Sequence, residues 1–414
     1  MTPHDAGREA NDVRFLTGAN ASYVLQRALT TTGHTLGTMT VHSVHHRPGA
    51  GVTVGYTCQV TGPDGRVSTE YLCATTARLD NVNSPGLIAV PPLEGGPWIY
   101  VWRHPADPQL PALPVACTPS LLSARLGQRV KAAMVAYRPT RRAVVRVTYT
   151  DGSTSYAKVL RPGQAGSFAE RHRMLRAAGV PAPEVLREDP DGLVLLSTGM
   201  GVPLSGLLSR GMSEQVATDV FNRLIDLLDS LPAAAMHMEA RPAWSDRVSH
   251  YAHAAATVLP EHASRAKAVA MGVEELMAST DPGPRVPVHG DFYEANVLME
   301  GEHVACLLDV DSLGPGRRVD DLACLLGHVS VLDHLAPASY PHVRSVLDVW
   351  TRLACRQVDP VALQARCAGV VLSLVAGARR EDGGPWRPDA EGRLARAEAW
   401  LAQAREIQAL RSPH

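Results

Sequence analysis

No Cys-x-x-Cys pair occurs in this sequence, and its seven cysteines (Cys58, Cys73, Cys117, Cys306, Cys324, Cys355 and Cys367) are odd in number and scattered. That pattern argues against a disulfide framework or a zinc site and implies reduced thiols in a cytoplasmic protein. An excess of charge is also missing. Forty Lys and Arg stand against 41 Asp and Glu, for a formal net charge of -1 and a pI near 7. Nothing therefore points to nucleic acid or to an anionic membrane as partner. The opening "MTPHDAGREANDVRF" has no apolar centre, so a signal peptide is not expected. The longest apolar stretch, "GVVLSLVAGA" at 369–378, is too short to span a bilayer and reads as a buried helix. Phenylalanine is scarce, with four in 414 residues, so the few large aromatics deserve individual reading.

What is present suits a folded core. Hydrophobic residues make up 45%, and the length fits two or three compact units at roughly 100–200 residues each. Residues 1–118 alternate β-like runs with turns. "GVTVGYTCQV", the turn "TGPDGR" and "STEYLCATT" make a hairpin. The proline-rich "PADPQLPALP" at 105–114 reads as a linker. Residues 119–200 open on a helix with Thr118 as cap and Pro119 in its first turn. A strand, an Asp-Gly turn and a second strand follow in "AVVRVTYTDGSTSYAKVL". A helix over "SFAERHRMLRAAGV", ended by Gly179 and Pro181, and a strand "DGLVLLST" complete this part. Residues 201–414 are mostly helical, interrupted by strand-like runs at 286–310. The class is α+β, with a β-rich N-terminal part and a helical C-terminal part. "HRPGAGVTVGY" at 46–56 also resembles "YRPTRRAVVRV" at 137–147, either as an internal repeat or because hairpins look alike. Aligning Tyr71 with Tyr156 sets Cys73 opposite Lys158, so the first copy lacks the lysine.

One stretch carries chemistry: "VPVHGDFYEANVLMEGEHVACLLDVDSLGPG", residues 286–316. Phosphoryl transfer from a nucleoside triphosphate needs Mg²⁺ on the phosphates and a group to accept the proton of the attacking hydroxyl. Mg²⁺ is hard and takes one or two protein oxygens besides phosphate and water. Asp291, with Asn296 five residues on, supplies a base and a metal-binding amide from one loop. Asp309 supplies the main metal carboxylate. "NVLME" and "VACLLD" flank the tight "GEH" turn, so antiparallel pairing brings Asn296 and Asp309 to the same end of a hairpin. The bland alternative is a set of loop carboxylates doing turn work.

These residues, with "LLDVDSLGPGRRVDDLACLL", resemble the signature of the aminoglycoside phosphotransferase and choline kinase family over roughly residues 130–410. The resemblance implies a protein-kinase-like two-lobed fold, Asp291 as catalytic base, and Asn296 and Asp309 as Mg²⁺ ligands. Asp311 falls where many members carry a second acid. His289 would hold the loop together, and Asp321 would act structurally by capping its helix. The expected parts are then an N-terminal cap (1–118), a nucleotide-binding lobe (119–200) and a helical lobe with the catalytic loop and acceptor site (201–414). The cap is loosely like that of actinobacterial maltokinases and glucosamine kinases.

The same resemblance gives the nucleotide lobe a lysine and a glutamate that grip the α- and β-phosphates, and Lys158 and Glu170 stand at those places. Taken alone, Lys158 reads as a solvated strand charge. "LLSTGM" at 195–200, with Ser197 and Thr198, would meet the base through its backbone. One departure is plain: "AYRPTRRAVV" occupies the phosphate-loop position without a glycine. Arg141 and Arg142 either replace backbone amides by charge or are solvated turn residues. Trp386 either packs or stacks on a sugar ring, with Glu381 and Asp382 placed to receive an amino group. Trp98 and Trp102 read as core. His42, His45 and His46 are either a metal cluster or surface histidines. The function implied is ATP- (or GTP-) and Mg²⁺-dependent transfer to a hydroxyl of an amino sugar, aminoglycoside or other sugar. A pseudokinase scaffold is the alternative, and the complete set Lys158, Glu170, Asp291, Asn296 and Asp309 argues against it.

Overall fold

Alternation of apolar residues builds the first sheet. In Val52–Thr61 the residues Val52, Val54, Tyr56, Cys58 and Val60 all turn inward, as the two-residue period of a strand requires. They pack on Leu16, Val24, Leu25 and Leu29, the last three from the helix Asn20–Thr30. The structure is a computed structural model and describes residues 11–46, 51–92, 98–378 and 385–411. The chain divides into two compact units, Met1–Ala169 with Val185–Thr198, and Glu170–Glu184 with Gly199–His414.

The first unit holds two five-stranded antiparallel sheets. One comprises β1 (Thr35–His46), β2 (Val52–Thr61), β3 (Val67–Thr75), β4 (Ile88–Val90) and β5 (Ile99–Arg103), in the order β1-β2-β3-β5-β4. The other comprises β6 (Val130–Arg138), β7 (Arg142–Tyr149), β8 (Thr154–Leu160), β9 (Val185–Glu188) and β10 (Leu193–Ser197), in the order β6-β7-β8-β10-β9. The strand order is thus the same twice. Cys73 and Lys158 each lie two residues before the end of the third strand. The weak likeness between 46–56 and 137–147 therefore accompanies a repeated topology, and the first copy holds a buried thiol where the second holds the lysine.

Three expectations are corrected in this unit. The proline-rich 105–114 segment is not a loose linker. Leu110, Ala112 and Leu113 are buried against Val145, Ala157 and Leu195 of the second sheet, and Asp107 is buried with them. The prolines stop regular structure but leave the intervening apolar residues free to pack. Thr118 has the extended backbone of a cap before the helix Pro119–Leu126, yet its side chain makes no capping bond. Trp102 is core as expected, but Trp98 is 52% exposed.

The second unit is helical around two short antiparallel sheets. Its central helix, Pro360–Val375, is capped by Asp359, which accepts the N–H of Ala362 at 2.8 Å. The apolar segment is longer than the 369–378 run alone suggests. Pro360–Ala378 has the length and composition to cross a membrane, but 78% of it is buried in this fold. The helices Ala263–Ser279, Arg318–Val329 and Arg387–Arg411 pack around it. The strands are β11 (Val202–Pro203), β12 (Arg285–Val288), β13 (Val297–Glu300), β14 (His303–Leu307) and β15 (Gly314–Arg317), in one sheet of order β11-β13-β14 and another of β12 with β15. β13 and β14 form the expected hairpin, with Val297 opposite Leu307. β12 pairs with β15, placing Val288 opposite Gly314. The loop 289–296 and the segment 308–313 are therefore fastened at both ends by strand pairing.

Candidate active site

The loop is held by its own backbone groups. His289 is fully buried; its Nε2 lies 2.9 Å from the carbonyl oxygen of Leu308 and its Nδ1 accepts the N–H of Asp291 at 3.3 Å. One tautomer, protonated at Nε2, satisfies both. Burial holds the imidazole below its ordinary pKa and so in that neutral form. Gly290 has φ +80°, and a Cβ there would meet Ser312 at 2.8 Å, so only glycine fits. Asp321 does not cap its own helix. Its carboxylate accepts the N–H groups of His289 and Gly290, each at 2.8 Å. Burial pushes this carboxyl up to about 7 against the pull of those two bonds. A buried N–H left unsatisfied costs more than a cap bond returns, which explains why the acid serves the loop.

Asp291 is oriented from two sides. Trp244 Nε1 donates to its Oδ1 at 3.2 Å, and Asn296 Nδ2 lies 2.9 Å from its carbonyl oxygen and 3.5 Å from its Oδ2. Asn296 is in turn fixed by its backbone, its carbonyl accepting the N–H of Leu308 at 2.8 Å. Asp309 is the next residue. It has left-handed backbone angles, φ +49° and ψ +52°, rare for a residue with a side chain. Asp291, Asn296 and Asp309 therefore gather at one end of the hairpin, as the pairing argument requires. Asp311 follows in a short 3-10 turn, Val310–Ser312, and is half-buried. The donors here are amide and carboxylate oxygens, the set that suits a hard divalent cation such as Mg²⁺.

In the first unit, Lys158 is not a solvated strand charge. It is 7% exposed, opposite Val144 and Val194 in the sheet, with its Nζ 4.3 Å from the Phe168 ring centre. Phe168 lies on the helix Ala165–Ala177, which also carries Glu170 on an exposed position. Arg141 is exposed at the tip of the β6–β7 hairpin, and Arg142, half-buried, opens β7 opposite Arg138. In the same turn Thr140 has φ +61°, the conformation usually reserved for glycine. Ser197 ends β10 opposite Ser155, and Thr198 donates to the carbonyl of Thr154 at 2.7 Å. His42 is exposed and sets its ring edge-on to Tyr71; His45 is half-buried, and burial lowers its pKa.

A cavity of about 530 Å³ in the second unit opens beside Gly290, with Trp244 and Ser312 in its wall. Glu381 and Asp382 lie outside the described residues. Trp386 does not line this cavity; it packs on the helical core beneath the Arg387 guanidinium, 5.8 Å away. Sequence reasoning missed Trp244, which lies 47 positions before the aspartate it touches. It also missed Asp107, which binds the Thr140 turn. Neither sits in a motif, and only the fold brings them to their partners. Glu294, inside the loop, was passed over as well. It is buried, its Oε2 has no partner, and its pKa is pushed up to about 7.

Comparison with known proteins gives the family. Residues 139–354, just over half of the chain, match the Phosphotransferase enzyme family. No curated protein matches. Among solved structures, the chain is similar to a thermostable mutant of aminoglycoside phosphotransferase APH(4)-Ia in ternary complex with ADP and hygromycin B. There the identity is 17% over 69% of this chain and 98% of that one, with a TM-score of 0.48. It is also similar to the macrolide 2'-phosphotransferase MphH from Brachybacterium faecium, at 19% identity over 71% and 96% of the two chains and a TM-score of 0.40. Aminoglycoside phosphotransferase APH(3'')-Id from Streptomyces rimosus is similar at 20% identity over 61% and 96%, with a TM-score of 0.39. The chain belongs to the phosphotransferase enzyme family, enzymes that transfer phosphate to a hydroxyl of a small molecule.

Proposed function

We propose that the protein is an ATP- and Mg²⁺-dependent O-phosphotransferase that moves the γ-phosphoryl group to a hydroxyl of an amino sugar, aminoglycoside or other sugar. The observation that carries this reading is the doubly oriented Asp291 beside Asn296 and Asp309. Asp291 accepts the proton of the attacking hydroxyl, and its two fixed neighbours keep it aimed. Asn296 and Asp309 hold Mg²⁺, with Asp311 as a further acid nearby. The ion supplies charge neutralisation on the phosphates. Lys158 serves the α- and β-phosphates, with Glu170 as its helix-borne partner. Arg141 and Arg142 add positive charge at the glycine-free turn. The segment at Ser197 and Thr198 offers backbone groups to the base. GTP is the other donor to be tried, and the reaction belongs in the cytoplasm.

The test is nucleotide turnover by the purified protein with a panel of sugar and amino-sugar acceptors, repeated with Lys158→Ala. Transfer that needs both Mg²⁺ and an acceptor hydroxyl is expected, with nucleotide use weakened in the variant. Tight nucleotide binding with no transfer to any acceptor would support a scaffold instead. Undiminished turnover by Lys158→Ala would remove that strand from the nucleotide site.

A further inference from the structure

The cavity beside Gly290 is walled by four guanidinium groups, from Arg241, Arg285, Arg317 and Arg366, and by two carboxylates, Asp246 and Asp320. Arg366 is buried and spent on Asp320, Nε to Oδ1 at 3.0 Å. Arg317 donates to the carbonyl of Gly283. Asp246 already accepts the N–H of Ala243 at 2.8 Å. Removing the Arg366–Asp320 pair leaves three positive side chains against one negative, a surplus of two. Even with Asp291 counted at the cavity's edge, the surplus is one. The side chains of Arg241 and Arg285 make no hydrogen bond or ion pair among the described residues, and both residues are exposed and line the cavity.

We infer that the acceptor carries an oxyanion, a carboxylate or a phosphate ester, besides the hydroxyl that is phosphorylated. This rests on the transfer reading above. A concave wall of one sign concentrates ligands of the other. Guanidinium forks match carboxylate and phosphate oxygens in pairs, which an ammonium cannot. A polycationic acceptor meets the same surplus as repulsion. Behind the wall stands Arg171, a cation matched by two acids and so no addition to the surplus. Arg171 is buried, donates to the carbonyl of Leu313 at 3.4 Å, and is lowered in pKa first by burial and then by the charge of Arg241. Asp311 and Glu239 act on Arg171 in the opposite sense and are the acids that face it. The Trp244 wall joins the two functions. Trp244 lines the cavity while its N–H aims Asp291, the residue after the cavity-lining Gly290, so one side chain joins the arginine wall to the base.

The experiment uses the full chain with saturating ADP and Mg²⁺, so that added anion cannot settle on the α- and β-phosphate positions, and the double variant below separates the arginine wall from the open γ-position. Sulfate is titrated at constant ionic strength while thermal unfolding is followed. A saturable rise in Tm is expected, lost in Arg241→Ala/Arg285→Ala, a variant that removes no internal bond. A rise that does not saturate, or one equally large in the double variant, overturns the proposal. Transfer is then compared for glucose, glucosamine, glucuronate and glucose 6-phosphate. One of the two anionic sugars should lead in kcat/KM by about tenfold or more, equivalent to ~1.4 kcal/mol, and which one leads identifies the oxyanion. In the double variant that lead should collapse through KM. Preference for glucosamine overturns the proposal. So does a fall in kcat shared by all acceptors with KM unmoved, because the arginines would then serve the travelling phosphoryl group. If ADP and Mg²⁺ produce no stabilisation, the transfer reading fails, and the sulfate titration still decides the oxyanion site. It also decides where none of the four sugars is turned over.

Discussion

Asp107 holds the backbone of Thr140: its Oδ2 accepts the Thr140 N–H at 2.7 Å and the Tyr137 hydroxyl at 2.7 Å. Thr140 is one of two non-glycine residues with positive φ among the described residues. The buried acid thus fixes a turn that threonine alone resists, at the tip of the β6–β7 hairpin. Arg161 adds a bond from its Nε to the Thr140 carbonyl at 2.6 Å.

Replacing Asp107 with Ala should therefore free the turn. The KM for nucleotide should rise by about tenfold, with a loss of roughly 2–4 kcal/mol in unfolding free energy from the broken buried bonds. Steady-state kinetics at saturating acceptor check this. An unchanged nucleotide KM in a folded variant would detach the Thr140 turn from the phosphates.

Asp291→Asn and Asp309→Asn should fail in different ways. The first keeps shape but removes the proton acceptor, at a cost of roughly 10²–10⁴ in rate. The second weakens the hold on Mg²⁺, so its Mg²⁺ requirement should rise along with the loss of rate. The two are compared by magnesium titration at saturating nucleotide. Rescue of Asp291→Asn by extra Mg²⁺, with Asp309→Asn unmoved, would mean the roles are reversed.

Trp244→Phe keeps a flat apolar wall but deletes the donor to Asp291 Oδ1. Loss of one hydrogen bond to a charged group is worth about 1.5–3 kcal/mol, so kcat should fall by about tenfold or more. The KM for nucleotide should stay where it is. A wild-type kcat in this variant would show that the base is oriented without the Trp244 contact.

His328 predicts a pH effect on stability. It stacks on Tyr293, ring centres 4.3 Å apart, and burial, aided by Arg393, pushes its pKa down from 6.5 to about 4. Between those values the unfolded chain takes a proton that the folded chain refuses. The contribution is therefore complete above the unfolded pKa and is lost as pH falls toward the folded one, by at most on the order of 3 kcal/mol. His328→Phe keeps a stacking ring that cannot titrate. Denaturant unfolding from about pH 7 down to about pH 4.5 should show the variant gaining on the wild type as acid is added. A gap that does not change with pH would contradict this.

Much of this molecule could be read before its structure, for identifiable reasons. Turn chemistry located β2–β3, β7–β8 and β13–β14, because Asp-Gly and Gly turns are local signals. The loop around Asp291 was legible because its parts lie within a few positions of one another. What stayed hidden depends on contacts across long stretches of chain. Burial of Leu110 and Leu113 turns a proline-rich segment into core. Trp244 reaches Asp291 over 47 residues, and Asp321 reaches His289 over 32. Lys158 looked like an edge charge because strand periodicity does not reveal that Phe168 lies against that face. The charge of the cavity beside Gly290 is of the same kind, since its arginines come from four separate elements of sequence.

Asp309 leaves a mark that outlasts any single experiment. A side chain in left-handed backbone costs about 1–2 kcal/mol, from which glycine is exempt. Stability alone would therefore favour glycine at this position, and the proposed place of Asp309 at the metal site gives the acid its reason to stand there. Asp309→Gly should melt no lower than the natural protein while transferring nothing.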